Sequence, residues 1–159
     1  MSEFPAPPPQ PQPGYPPPTA SGPSGPRANF GRRFVAWLVD VILIGIVAGL
    51  LRFAVGQIAA DLIGLAIGVA YYGYLEGSNS GQTIGKRALG IRVIDFRTGG
   101  PIGFGRAVIR YFGRIVSTIP CFLGYFWMLW DKERQCWHDK FANDVVVPEA
   151  SYPVASWPN

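Results

Sequence analysis

FVAWLVDVILIGIVAGLL, residues 34–51, carries a single charge, Asp40, in eighteen positions. At about 1.5 Å rise per residue a helix of that length covers roughly 27 Å, close to the hydrocarbon thickness of a bilayer. Arg32 and Arg33 precede the stretch and Arg52 follows it, so it is predicted to be a membrane span bounded by basic residues. Residues 58–75 predict a second span, with Asp61 near one end. Tyr71, Tyr72 and Tyr74 cluster at the other end, where amphipathic rings suit a membrane–water interface. The short connection between the two makes them antiparallel neighbours. Gly45–Gly49 and Gly64–Gly68 have the G-x-x-x-G spacing that lets helix backbones approach, a weak motif alone because glycine is common in membrane helices.

Around these spans the chain is sorted into blocks. Residues 1–26 hold eleven of the sixteen prolines and one charge, Glu3. Such a stretch lacks backbone donors and has little to bury, so a disordered, polyproline-like arm is expected over 1–29. Phe4 and Tyr15 within it give the arm a docking character. No cleavable signal is visible, and the first apolar run is expected to stay as an anchor. Residues 76–114 contain seven of the fourteen lysines and arginines. Basic residues beside apolar runs are what the positive-inside rule produces, and this placement argues against nucleic acid as a partner.

Within the basic block, residues 88–96 alternate apolar and polar side chains, which suits a short strand, and Thr98-Gly99-Gly100-Pro101 is a turn. From Gly105 the spacing becomes helical. Arg106, Arg110 and Arg114 recur every four residues as one basic stripe, which predicts an interfacial amphipathic helix. Residues 115–130 are apolar but interrupted by Pro120. They are expected to enter the membrane as a broken, re-entrant segment, with three full spans as the alternative. Lys132, Arg134 and Lys140 follow closely and favour the side on which Arg27, Arg32 and Arg33 lie.

Three stretches resemble the RDD family of small bacterial membrane proteins: GRRFVAWLVD at residues 31–40, GQTIGKRALGIRVID at 81–95, and WHDKFANDVVV at 137–147. The middle stretch is the most specific. The resemblance covers residues 30–147 and implies that Arg33, Asp40 and Asp139 are the name-giving residues. Phe141 and Asn143-Asp144 stand where the family often has Leu and Gly-Thr, so Asp139 is the least typical of the three. Transport has been suggested for the family, which has no agreed activity. A proline-rich head on this body is similar to actinobacterial members. That likeness implies a larger membrane complex as client, with the respiratory cytochrome complexes as the named candidate.

Asp40 is the most informative single residue. A charge in mid-span costs about 2.5–3.5 kcal/mol on insertion scales, so it is expected to face protein with a partner or to be protonated. Arg33, two helical turns earlier, and Arg106, Arg110 or Arg114 are the candidate partners. The two roles open to Asp40 are a buried pair that pins helices and a proton or cation pathway. GQTIGKR is not a Walker loop. Three residues rather than four separate Gly81 from Gly85, and Arg87 rather than Ser or Thr follows Lys86. A tight turn with membrane-proximal basic contacts from Lys86, Arg87, Arg106, Arg110 and Arg114 is expected instead. Cys136 and the lone His138 beside Asp139 fall short of a zinc set in sequence, and no metal or cofactor is expected. Ser78, Ser80 and Ser117 have no histidine neighbour in sequence, though that does not exclude one in space, and no catalytic residue is assigned. Cys121 reads as a packing residue.

The expectation is therefore an all-α membrane protein. It has two full transmembrane helices, a third proline-broken membrane segment, a basic interfacial helix and a disordered proline-rich N-terminal arm. Its expected parts are an arm at 1–29, an RDD-like membrane domain at 30–147 with a cytoplasmic basic segment at 76–114, and a tail at 148–159. It is expected in the plasma membrane as a multi-pass protein with a cytoplasmic N terminus. Its expected partners are membrane lipids and, through the spans and the arm, a larger membrane complex. The function expected is that of a small non-catalytic accessory or scaffold subunit. The alternative is an oligomeric transporter or cation/proton antiporter centred on Asp40.

Overall fold

The computed structural model describes residues 25–153. Asn29 starts the first helix, its side chain accepting a hydrogen bond from the Arg32 backbone N–H at 2.9 Å. Helix α1 then runs from Phe30 to Val55 and α2 from Gln57 to Gly77. Only Gly56 separates them, at a φ of 77° that favours glycine, because the residues flanking the apolar runs continue both helices to the turn. Arg52 and Asp61 bracket that turn and pair at 2.8 Å. Both helices are long and apolar enough to cross a membrane. Only 11% of the most apolar stretch of α1, and 28% of that of α2, is buried within the protein.

The remainder of the chain packs at the α1 start and α2 end. A five-residue helix α3, Ile84–Ala88, is capped by Thr83 and leads into strand β1, Ile91–Asp95. Helix α4, Gly103–Thr118, follows, then α5, Leu123–Phe126, which continues as a 3-10 turn to Leu129. Helix α6, Trp137–Ala142, precedes strand β2, Asp144–Pro148. The fold is mostly helical with a broken third apolar segment, as the sequence predicts. The α4 and α5–Leu129 axes differ by 112° across Pro120, with Cys121 and Phe122 at φ values of 49° and 62°.

Three features depart from expectation. First, the strand predicted near residues 88–96 has an antiparallel partner, β2, registered from Ile91 opposite Pro148 to Asp95 opposite Asp144. Alternation sends Ile91, Val93 and Val146 to a cluster with Ala28, Ala36, Ile102 and Ala107. It sends Ile94, Val145 and Val147 to a second cluster with Tyr152. Second, the arm was expected to be free through residue 29, yet Ala28 is buried and donates its backbone N–H to Val146 O at 2.9 Å. Arg27 also pairs with Glu133. The expected disorder over 1–24 lies outside the described residues. Third, the chain end expected to be a tail from 148 is built into the fold as far as Pro153. Buried Arg92 donates to the carbonyls of Tyr152, Pro153 and Asn79.

Gly45, Gly49 and Gly64 do not serve the α1–α2 contact: a Cβ at any of them would meet nothing within 4 Å. Gly68 does make room, for the Tyr111 ring on α4.

Candidate functional site

The most charged part of the molecule is buried. Glu76, at the end of α2, is fully enclosed and faces Lys86 of α3 and both Arg110 and Arg114 of α4. Arg110, itself 1% exposed, also reaches Asp139 of α6 and Asp144 of β2. Arg33 of α1 completes the set, donating to Asp139 Oδ2 at 2.6 Å and to the Arg134 carbonyl at 3.0 Å. One hydrogen-bonded and ionic network thus ties α1, α2, α3, α4, α6 and β2 together. Enclosed charges are sustained only by such mutual pairing.

This arrangement corrects the expectation of membrane-proximal basic contacts. Lys86, Arg110 and Arg114 turn inward, and Arg106 pairs with Asp95 and the carbonyls of Ala142 and Asn143. Arg87 alone of the five is exposed. Helix α4 is inverted relative to an ordinary interfacial helix. Its buried face is Ala107, Arg110, Gly113 and Ser117, while Phe104, Ile109, Phe112, Ile115 and Val116 are exposed. In hydrocarbon that is the favourable sense, because charge is stable only toward protein.

Asp40 also differs from expectation. It is buried, but no arginine pairs with it. Its Oδ1 accepts from the Tyr71 hydroxyl at 2.7 Å and the Gly85 backbone N–H at 2.9 Å, and its Oδ2 accepts from the Thr83 hydroxyl at 2.6 Å. Asp40 is therefore the receptor for the GQTIGKR loop, which docks on α1. Gly85 is required there because a Cβ would collide with the Ala36 carbonyl. Gly81, at a φ of 62°, turns against the β1 backbone, with Val93 N–H donating to Gly81 O at 2.8 Å. Of the three motif residues, Arg33 and Asp139 are paired. Asp40 sits apart from them, holding the loop.

Around Asp139 the electrostatics are those of a locked ion pair. Burial alone would raise its carboxyl, but Arg110 and Arg33 outweigh burial and hold it well below the usual carboxylate range. Its Oδ2 also accepts from the Cys136 backbone N–H at 2.8 Å, closing the first turn of α6. Burial pushes His138 well below its ordinary value, so its ring is neutral. Burial likewise pushes the Cys136 thiol up to about 12.

Two chemical constellations meet here that sequence distance concealed. Ser117 Oγ lies 3.3 Å from His138 Nδ1, and His138 Nε2 lies 3.5 Å from Asp139 Oδ1. These are the residue types of a nucleophilic triad, but Ser117 is fully buried and gives its hydroxyl proton to Gly113 O at 2.8 Å. Asp139 is moreover committed to two guanidinium groups, so the geometry is structural. Cys136, His138 and Asp139 also bring potential ligand atoms within 4.8 Å of one another. A protonated thiol and a carboxylate already shared by Arg33 and Arg110 do not fit a cation.

Sequence reasoning missed Glu76, Asp144 and Tyr71 as members of the site. Glu76 had a usable signal, the same one that exposed Asp40: an acid joined to a long apolar helix.

A cavity of about 400 Å³ opens beside this network. Arg33, Lys86, Arg110 and Arg114 line it together with aromatic side chains of α1 and α5.

The chain is 34% identical over 142 residues to a "Proline-rich antigen homolog" of Mycobacterium tuberculosis, covering 72% of this chain and 59% of that protein. It is 39% identical over 89 residues to a "Proline-rich antigen" of Mycobacterium leprae, covering 56% of this chain and 35% of that protein. It is 27% identical over 147 residues to "Uncharacterized protein YxaI" of Bacillus subtilis, covering 76% and 96%. The chain thus spans 59% of the length of the first of these mycobacterial relatives and 35% of the second. No solved structure matches. The RDD family model matches residues 27–143, which include Arg33, Asp40 and Asp139, and the chain belongs to the RDD family of membrane proteins.

Proposed function

We propose that this protein is a small non-catalytic accessory subunit of a larger plasma-membrane complex, with its N terminus on the cytoplasmic side. The observation that carries the proposal is the open glycine groove on α1. Gly45 and Gly49 meet nothing within 4 Å, and Ile42, Ile46, Leu50 and Phe53 flank them, all exposed. Lipid tails satisfy an apolar helix face without any groove, whereas a small-x-x-x-small stripe admits a neighbouring helix backbone. The enclosed charges support the same reading, since each is used to fasten elements together. The client we propose is the cytochrome complexes of the respiratory chain. Its support is the proline-rich head joined to an RDD body; the two mycobacterial relatives are named proline-rich antigens.

The alternative, an antiporter centred on Asp40, has less in its favour. Both Asp40 oxygens are occupied by Tyr71, Thr83 and Gly85. A transport path would also call for polar residues at matching depth on other helices.

Filling the groove tests the proposal. A Cβ at Gly45 or Gly49 would meet nothing within 4 Å among the described residues, so Gly45→Leu with Gly49→Leu should leave insertion and thermal unfolding unchanged. Recovery of partner proteins from native detergent, measured by mass spectrometry, should fall. Undiminished recovery would contradict docking through α1.

A further inference from the structure

The cavity beside the charge network has two unlike ends. Its walls are Phe30, Phe34 and Trp37 on α1, Phe122 just ahead of α5, and Tyr125 and Phe126 on α5. The walls touch at the edges, where the Phe30 and Phe126 rings stack at 5.7 Å and Trp37 approaches Tyr125 at 6.4 Å. Phe34, Phe122 and Phe126 are also exposed, at 47, 46 and 42%, so aromatic side chains form the mouth at the outer surface. The floor is formed by Arg33, Lys86, Arg110 and Arg114, whose side chains are at most 12% exposed and are each paired with an acid. The acids that balance these cations, Glu76, Asp139 and Asp144, lie behind them and do not line the cavity. Asp40 is the one acid that does line it, and its oxygens are already taken. Arg114 stacks over the Tyr72 ring at 4.2 Å and gives one guanidinium nitrogen to Glu76. Its other terminal nitrogen, Nη1, is buried with no acceptor among the described residues.

A buried donor without an acceptor costs about 1–3 kcal/mol, and an anion bound against Arg114, a lining residue of the cavity, would relieve that cost. At about 400 Å³ the cavity falls within the range of roughly 300–1,000 Å³ typical of small-molecule sites. A free anion would need only the floor. An apolar solute would need only the walls. The two together select an amphiphile.

We propose that this cavity binds one anionic phospholipid of the surrounding bilayer. Its phosphate rests on Arg114, Arg110, Lys86 and Arg33, and an acyl chain lies between the aromatic walls of α1 and α5. The backbone supports this use. Cys121 and Phe122 adopt left-handed conformations where α4 breaks, and that break carries Phe122 and Phe126 to the cavity mouth.

Native mass spectrometry of the full chain in detergent tests the site, using phosphatidylglycerol, phosphatidylcholine with the same chains, oleate and inorganic phosphate as probes. The expected result is retention of one phosphatidylglycerol about tenfold more strongly than phosphatidylcholine, with neither oleate nor phosphate displacing it at equal concentration. Arg114→Gln should reduce retention to the phosphatidylcholine level. Equal retention of the two lipids in the wild type overturns the proposal. Displacement by phosphate would make it a free-anion site, and displacement by oleate a fatty-acid site; either result overturns the phospholipid assignment. A wild-type measurement stands even where Arg114→Gln does not fold. Phosphatidylglycerol bearing a photoreactive acyl chain should label peptides covering residues 30–37 and 121–128. Labelling confined to other parts of α1 and α2 would overturn it.

Discussion

Asp40 and Asp144 are both buried carboxylates, yet their surroundings give them opposite jobs. Asp40 accepts three hydrogen bonds from neutral donors, so the consequence of altering it is structural. Asp40→Asn replaces one acceptor oxygen with a donor and strands at least one of Tyr71, Thr83 and Gly85. A loss of about 1–3 kcal/mol in stability is expected, read as a lower unfolding midpoint in detergent. A midpoint equal to wild type would show that the loop does not depend on this contact. Asp144 instead is titratable. Burial raises its carboxyl, Arg110 pulls it back and neighbouring Asp139 pushes it up again, leaving it at about 7. An unfolded aspartate titrates near about 3.9, so the folded state holds the extra proton between about pH 4 and 7. The stability this proton contributes is full below that window and is lost as pH rises through 7. Asp144→Asn keeps the neutral form at every pH. The unfolding midpoint of the variant minus that of wild type should therefore rise between pH 5 and pH 8. A difference independent of pH would contradict the raised carboxyl.

At the scale of elements, Glu76 decides how α2, α3 and α4 meet. Glu76→Gln would leave Lys86, Arg110 and Arg114 crowded without their shared anion, a loss of about 3–5 kcal/mol or failure to accumulate in the membrane. The exposed Arg52–Asp61 pair is the control. Arg52→Ala should change stability by less than about 1 kcal/mol. The contrast also shows which elements were legible in the sequence. Helices α1 and α2 were, because long apolar runs determine their own structure in a membrane, and Pro120 announced the break after α4. The four-residue spacing of Arg106, Arg110 and Arg114 correctly gave a helix but not its orientation. That depends on Glu76, Asp139 and Asp144, which lie up to 38 positions from their partner in sequence. Strand β2 was hidden for the same reason: its run of valines pairs with β1 only after α4 and α6 bring the two together. The family resemblance singled out Arg33 and Asp139 as motif residues, but their pairing was not legible in the sequence, which offered Arg33 as a partner for Asp40 instead.

For the whole molecule, the charged network forms the packed end and the α1–α2 hairpin presents apolar faces outward. The orientation we propose, with the N terminus inside, rests on Arg27, Arg32 and Arg33 ahead of α1, against Arg52 alone near the turn. In a background lacking the native cysteines, Ser21→Cys should resist an impermeant thiol reagent added to intact cells, and Gln57→Cys should react. The reverse pattern would invert the topology. The role as an accessory subunit is tested most directly by quantitative co-purification of the full chain from native membranes in mild detergent. The account predicts a partner complex in fixed stoichiometry, diminished when residues 1–24 are deleted while the membrane domain remains inserted and folded. A chain that purifies alone at every detergent concentration, and that conducts cation or proton flux abolished by Asp40→Asn when reconstituted, would contradict it.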